Sequence, residues 1–216
     1  MTHAFLTPEQ VVERFTTKFG ASIKGTRISE RREGKRKEPG YDIWIDLERD
    51  LLKPAISTLM DLDYPHLSVI SGSDMGDSVR LLYHMTVYYG RAKGEYTVTF
   101  SVLLPKDALT IPTISDLIPG AVFSEREKQE FLGVKVSGIP DGRRLFLPED
   151  FPEGIYPWRK DGTGIPDGMV KDLWASKRPT DRPAPPLPEA PVCEMETQEA
   201  PPSPAGREPG KEGGQS

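Results

Sequence analysis

At 216 residues, with 36% hydrophobic and 28% charged side chains, the chain has room for one domain with a packed core. A net charge of −5 argues against a protein that tracks nucleic-acid phosphates or is held to anionic lipid by charge alone. The single cysteine, Cys193, excludes an internal disulfide and leaves too few thiolates for an iron–sulfur cluster or a thiolate zinc site.

The three histidines, His3, His66 and His84, share no metal-ligand spacing. No run of about 18 apolar residues occurs, so the chain is not expected to span a membrane by itself. The first residues lack a basic region followed by an apolar block, so no secretory signal is expected.

The first element reads as a helix. Thr7-Pro8-Glu9-Gln10 supplies an N-cap, a proline at the first helical position and a Gln three residues after the cap. Val11, Val12, Phe15 and Phe19 mark its apolar face, and Gly20 can stop it. Ile23–Ile28 is a short strand, and Glu30–Gly40 a charged loop containing Arg31, Arg32, Lys35, Arg36 and Lys37. Alternation in Tyr41–Leu47 predicts a strand with Ile43, Ile45 and Leu47 on one face and Trp44 on the other. Leu51–Met60 is helical, broken by Tyr64-Pro65.

Three further strands are expected at His66–Ser71, Val79–Tyr89 and Glu95–Leu103, the last two joined by the hairpin loop Gly90–Gly94. Thr113–Ile118 is a short helix. Ser124–Leu132 is another, with a Ser124/Glu127 capping box and Gly133 as C-cap. Ser137–Asp161 is punctuated by Gly and Pro and has little regular structure. Ten of the 22 prolines lie in Pro179–Ser216, which predicts a disordered or extended tail. The fold class is α+β: a mostly antiparallel sheet packed with helices, then an irregular extended segment and that tail. The divisions expected are a sheet domain over 1–120, a distinct segment over 121–161, an extension over 162–178 and the tail over 179–216.

Catalytic signatures are missing: there is no G-x-S-x-G elbow, phosphate loop, dinucleotide fingerprint or H-E-x-x-H. Gly72–Asp77 is acidic and Gly-rich but lacks calcium-loop spacing, so it reads as a turn between strands. His84, alone in a strand, reads as a packed, hydrogen-bonded residue. The basic run Arg31–Lys37 carries no aromatic to stack a base and reads as a solvated loop. The densest polar cluster is Glu125-Arg126-Glu127 with Arg143-Arg144 and Arg159-Lys160-Asp161. Carboxylates and guanidinium forks at that density form charge-paired networks, either as a clamp within the domain or as a binding surface.

At this cluster the sequence resembles the 30-kDa (C) subunit family of respiratory complex I, whose signature runs E-R-E-x-x-D-x-x-G, a G-x-P step, an Arg-rich stretch and P-L-R-K-D. Here it reads Glu125-Arg126-Glu127-Lys128-Gln129-Glu130-Phe131-Leu132-Gly133, then Gly138-Ile139-Pro140-Asp141-Gly142-Arg143-Arg144, and closes with Tyr156-Pro157-Trp158-Arg159-Lys160-Asp161. Upstream, Asp74-Met75-Gly76-Asp77 and Leu82-Tyr83-His84-Met85 resemble the hydrogenase branch of that family, and the likeness extends over Leu6–Asp161. Glu130 stands where the signature has Asp, Ile139 where it has His, and Trp158 where it has Leu. These departures suggest a divergent branch, such as an energy-converting [NiFe] hydrogenase or a related archaeal or anaerobic bacterial complex, more than a standard respiratory enzyme.

The resemblance implies a non-catalytic peripheral-arm subunit with no cofactor of its own, on the cytoplasmic face of the membrane. It would reach the membrane only through partners in a hetero-oligomeric complex. Those partners would be a large subunit, either 49-kDa-like or a hydrogenase large subunit with nickel–iron, and a small iron–sulfur subunit. Contacts with the large subunit are expected from Glu125, Arg126, Glu127, Phe131, Arg143, Arg144, Trp158, Arg159, Lys160 and Asp161, with the aromatics as anchors. The competing readings are a free-standing binding module and a small enzyme using Glu125, Glu127 or Glu130 as acid–base groups.

Overall fold

The computed structural model describes residues 5–33, 38–90 and 95–169. The expected tail and the loop tips at 34–37 and 91–94 lie outside the described residues.

Helix α1, Pro8–Phe19, begins as the sequence dictates. The Thr7 hydroxyl accepts from the Gln10 N–H, and the Gln10 side chain accepts from the Thr7 N–H, a reciprocal capping box. Strands β1 (Ile23–Glu33) and β2 (Glu38–Leu47) form an antiparallel hairpin. The expected charged loop is therefore mostly strand: Glu30 pairs with Tyr41, Arg31 with Gly40 and Arg32 with Pro39. Ladder hydrogen bonds come from the backbone, so a charged edge extends as readily as an apolar one.

Helix α2, Leu52–Met60, tolerates Pro54 because it falls in the first turn, where the missing N–H has no intrahelical partner. Strands β3 (His66–Asp74), β4 (Ser78–Val87) and β5 (Tyr96–Pro105) follow. The sheet order is β1-β2-β5-β4-β3, antiparallel throughout except for the parallel pair β2–β5. That one parallel pair requires the crossover from β2 through α2 to β3.

Alternation on β4 and β5 sends Leu81, Tyr83, Met85, Val98, Phe100 and Val102 to one face, where they are buried. Val11 and Phe15 of α1 and Ile56 and Leu59 of α2 complete that core, with Phe15 5.5 Å from Phe100. The opposite face is more polar. There His84 bridges the hydroxyls of Ser71 (2.8 Å) and Thr99 (3.1 Å) and meets the Trp44 ring edge-on. Burial pushes the His84 pKa down, outweighing the opposing pull of Asp42.

Beyond the sheet the expected elements shift. Thr113–Ile118 is a single turn closed on the Ile114 carbonyl, not a helix. Two short strands, β6 (Thr110–Pro112) and β7 (Lys135–Ser137), pair in parallel and were not anticipated. Helix α3 spans Ala121–Leu132, three residues earlier than expected. The Ser124/Glu127 capping box does not form, because Ser124 is already inside the helix. The helix grows out of the preceding turn instead, with the Ala121 and Val122 N–H groups donating to the Ile118 and Pro119 carbonyls. Gly133 ends it in the left-handed conformation, at φ 68°.

Candidate functional site

Helix α3 buries charge. Glu125, Arg126, Lys128 and Glu130 are all buried, alongside only two buried apolar residues, Ala121 and Leu132. Buried charges need partners, and each has one within the chain. Glu125 accepts from the Thr113 hydroxyl (2.6 Å) and the Ile114 N–H (2.7 Å), fixing the turn before α3. Burial raises its pKa more than those two hydrogen bonds lower it. Arg126 donates through Nε and Nη2 to the Arg143 and Arg144 carbonyls, at 2.7 and 2.8 Å, and lies 3.4 Å from Asp141.

Glu130 does the reverse, collecting the N–H groups of Leu145, Phe146 (2.9 Å) and Leu147 (2.8 Å). A carboxylate cupped by successive backbone N–H groups is a favourable anion arrangement. Together Arg126 and Glu130 hold residues 143–147 by their backbone alone. Lys128 pairs with Glu127 and sits 4.6 Å from the Trp158 ring centre; burial lowers its pKa and Glu127 partly restores it.

The other forks are also turned inward. Arg144 Nη1 reaches the carbonyls of Pro148 (2.9 Å), Glu149 (3.3 Å) and Phe151 (2.7 Å), closing the loop on itself. Arg159 donates to the Leu132 carbonyl (2.9 Å) at the end of α3 and stacks on Tyr156. The Lys160 N–H donates to Asp74 (2.9 Å), and Asp161 pairs with Lys106. Arg143 is the exception among the arginines: its side chain is 86% exposed, held by a two-pronged contact to Asp141 at 2.9 Å on both prongs. That contact keeps the Asp141 carboxyl well below the usual carboxylate range.

Large apolar side chains also face out. Phe131 stacks on Trp158 at 4.6 Å between ring centres and meets Phe146 at 5.9 Å, making one continuous aromatic strip. Phe146 is 57% and Trp158 41% exposed, and Leu145 is exposed beside Phe146. Phe123, 58% exposed, lies two turns before Phe131 on the same side of α3, with Glu127 between them. The structure brings Phe131 and Trp158 together, a contact that the sequence reading, which named each only as an anchor for a partner, did not anticipate. It gives Arg126, Arg144 and Arg159 hydrogen bonds to this chain's own carbonyls. Phe123, Leu145 and Phe146 were not singled out from sequence; Glu130 was, as a signature position and a candidate acid–base group, but not as the clamp on residues 145–147 that it forms. Exposure of Leu145 and Phe146 has no local signal, because it follows from Glu130 gripping their backbone.

Among the described residues no helix is long and apolar enough to cross a membrane, and no group of three or more His, Cys, Asp or Glu is placed to hold a metal ion.

Residues 45–165 match the family described as the respiratory-chain NADH dehydrogenase 30 Kd subunit. The membrane-bound hydrogenase subunit beta of Pyrococcus furiosus is 39% identical over 131 residues, 60% of this chain and 75% of that protein. Formate hydrogenlyase subunit 5 of Escherichia coli is 37% identical over 98 residues, which make up 44% of this chain but only 17% of that much longer protein. Among solved structures, a chain of the membrane-bound sulfane sulfur reductase, an archaeal respiratory membrane complex, shares the fold, with a TM-score of 0.55 over 70% of this chain and 83% of that one at 20% identity. The matched stretch contains most of the sheet, all of α3 and the whole loop system that Arg126, Glu130 and Arg159 hold together, and on that match the chain belongs to the family of the 30 Kd subunit of respiratory-chain NADH dehydrogenase.

Proposed function

We propose that this chain is a scaffolding subunit of a membrane-attached, NADH:quinone oxidoreductase-like complex, contributing no redox centre of its own. It docks on the large, 49-kDa-like subunit through the outer side of residues 121–161, in an assembly that also holds a small iron–sulfur subunit. Electron transfer and ion translocation take place in the partners, which also provide the attachment to the cytoplasmic face of the membrane.

One observation carries this reading: Arg126, Glu130, Arg144 and Arg159 bind this chain's own backbone, while Phe123, Phe146 and Trp158 are left exposed. A loop whose carbonyls and N–H groups are satisfied internally is rigid before it meets a partner, so docking loses little conformational freedom. Exposed Phe123, Phe146 and Trp158, with Arg143 at the margin, have the composition of an interface core, where aromatics and Arg are enriched. The formate hydrogenlyase relative adds support. There the matching stretch is a minor part of a long polypeptide, as expected if such a domain works beside a larger one.

The second reading is the equivalent subunit of a membrane-bound [NiFe] hydrogenase. It is favoured by the 39% identity to a hydrogenase subunit beta and by the departures at Ile139 and Trp158. A large-subunit partner with paired C-x-x-C nickel ligands selects the hydrogenase; their loss selects the quinone or sulfur type.

The test is Trp158→Ala and Phe146→Ala in the tagged full-length chain, produced with its complex. Recovery of the large subunit should fall on the order of tenfold or more for a central aromatic, with unaltered iron–sulfur spectra in whatever complex assembles. Full assembly with lost turnover would refute scaffolding and assign a direct role in the reaction.

A further inference from the structure

Asp74 lies far from the docking segment in sequence, yet its carboxylate meets it. The side chain is completely buried at the end of β3. One oxygen accepts from the Gly76 N–H (2.9 Å) and shapes the β3–β4 turn. The other accepts from Lys106 Nζ (2.9 Å), just past β5, and from the Lys160 N–H (2.9 Å), two residues after Trp158. Lys106 in turn pairs with Asp161. Three separate stretches of chain therefore converge on one carboxylate.

The Trp158 loop has no regular secondary structure and is held from two sides. On one side the Trp158 N–H donates to the Phe131 carbonyl (3.0 Å) and Arg159 to the Leu132 carbonyl (2.9 Å). On the other side the hold is Asp74 and its partner Lys106. The first set lies at the base of the Trp158–Phe131 stack, and the second ties the loop, two residues further on, to the end of β3. We infer that Asp74, with Lys106, is a positioning residue for Trp158, and that the docking surface is presented correctly only while this buried carboxylate grips the loop. The inference rests on the proposed docking role for its consequence, though not for its geometry.

Asp74→Asn keeps the size of the side chain but removes its charge and turns an NH2 group toward donors. In the full-length chain with Trp44→Phe and Trp174→Phe, iodide quenching of Trp158 fluorescence should rise in the Asp74→Asn variant. Unchanged quenching overturns the inference whatever the partner does. In the intact complex, Asp74→Asn and Trp158→Ala should each lower large-subunit recovery, and the double variant should lower it no further than Trp158→Ala alone. Multiplying effects, or a normal recovery for Asp74→Asn beside a lowered one for Trp158→Ala, overturn the inference. Normal recovery for Trp158→Ala with raised quenching in Asp74→Asn refutes the docking role and leaves the positioning of Trp158 supported.

Discussion

Gly133→Ala probes how closely the segment after α3 is packed on the helix end. Gly133 has φ 68°, where a Cβ costs about 1–2 kcal/mol. A Cβ there would also lie 2.6 Å from Tyr156 Cζ and 2.8 Å from Arg159 Nη2, closer than packed atoms approach. Both side chains must move, and Arg159 then loses its bond to the Leu132 carbonyl, a charged hydrogen bond of roughly 1.5–3 kcal/mol. Together the loss is about 2.5–5 kcal/mol, a large fraction of the stability of an ordinary domain. Gly154→Ala is the control: its φ is 77°, but no atom lies within 4 Å of the added carbon, so only the backbone part, about 1–2 kcal/mol, applies. Urea unfolding of the two variants beside the wild type measures the difference. Equal losses would show that Tyr156 and Arg159 are not packed against the helix end and would refute the close packing of this segment on α3.

Glu125→Gln should be neutral or stabilising at pH 7. Burial raises the Glu125 pKa in the folded chain, so its contribution is full below the ordinary value of 4.5 and is lost as pH rises through the raised one. Gln stays neutral, can still accept from the Ile114 N–H and can donate to Thr113, so its advantage in urea unfolding should shrink toward pH 4; a large loss at pH 7 would count against this. Asp74 has the opposite sign. Burial alone would raise its pKa, but the Lys160 N–H, Lys106 and the Gly76 N–H together hold it below the ordinary 3.8. Its contribution is present above that value and lost as pH falls through the lowered one, so an acid titration of the unfolding midpoint should be flatter in Asp74→Asn.

The sheet was readable because its signal is local. Period-two alternation in Tyr41–Leu47 and Val79–Tyr89 names the buried face directly, and Thr7-Pro8-Glu9-Gln10 starts α1 whatever surrounds it. The Ser124/Glu127 pattern matched a capping box equally well. It failed because Pro119 and Gly120 already had a turn in place, so the helix began at Ala121. Strands β6 and β7 are three residues each and pair across α3, a distance no local pattern covers.

The residues of the segment after β6 were also visible in sequence, as a density of Glu and Arg that required charge pairing. Sequence by itself determined that these charges must find partners, because ions do not enter an interior unpaired. Only the tertiary structure decided where those partners are. By placing the backbone of residues 143–147 over α3 and Lys160 beside Asp74, it satisfied the charges within the chain and turned Phe146 and Trp158 outward.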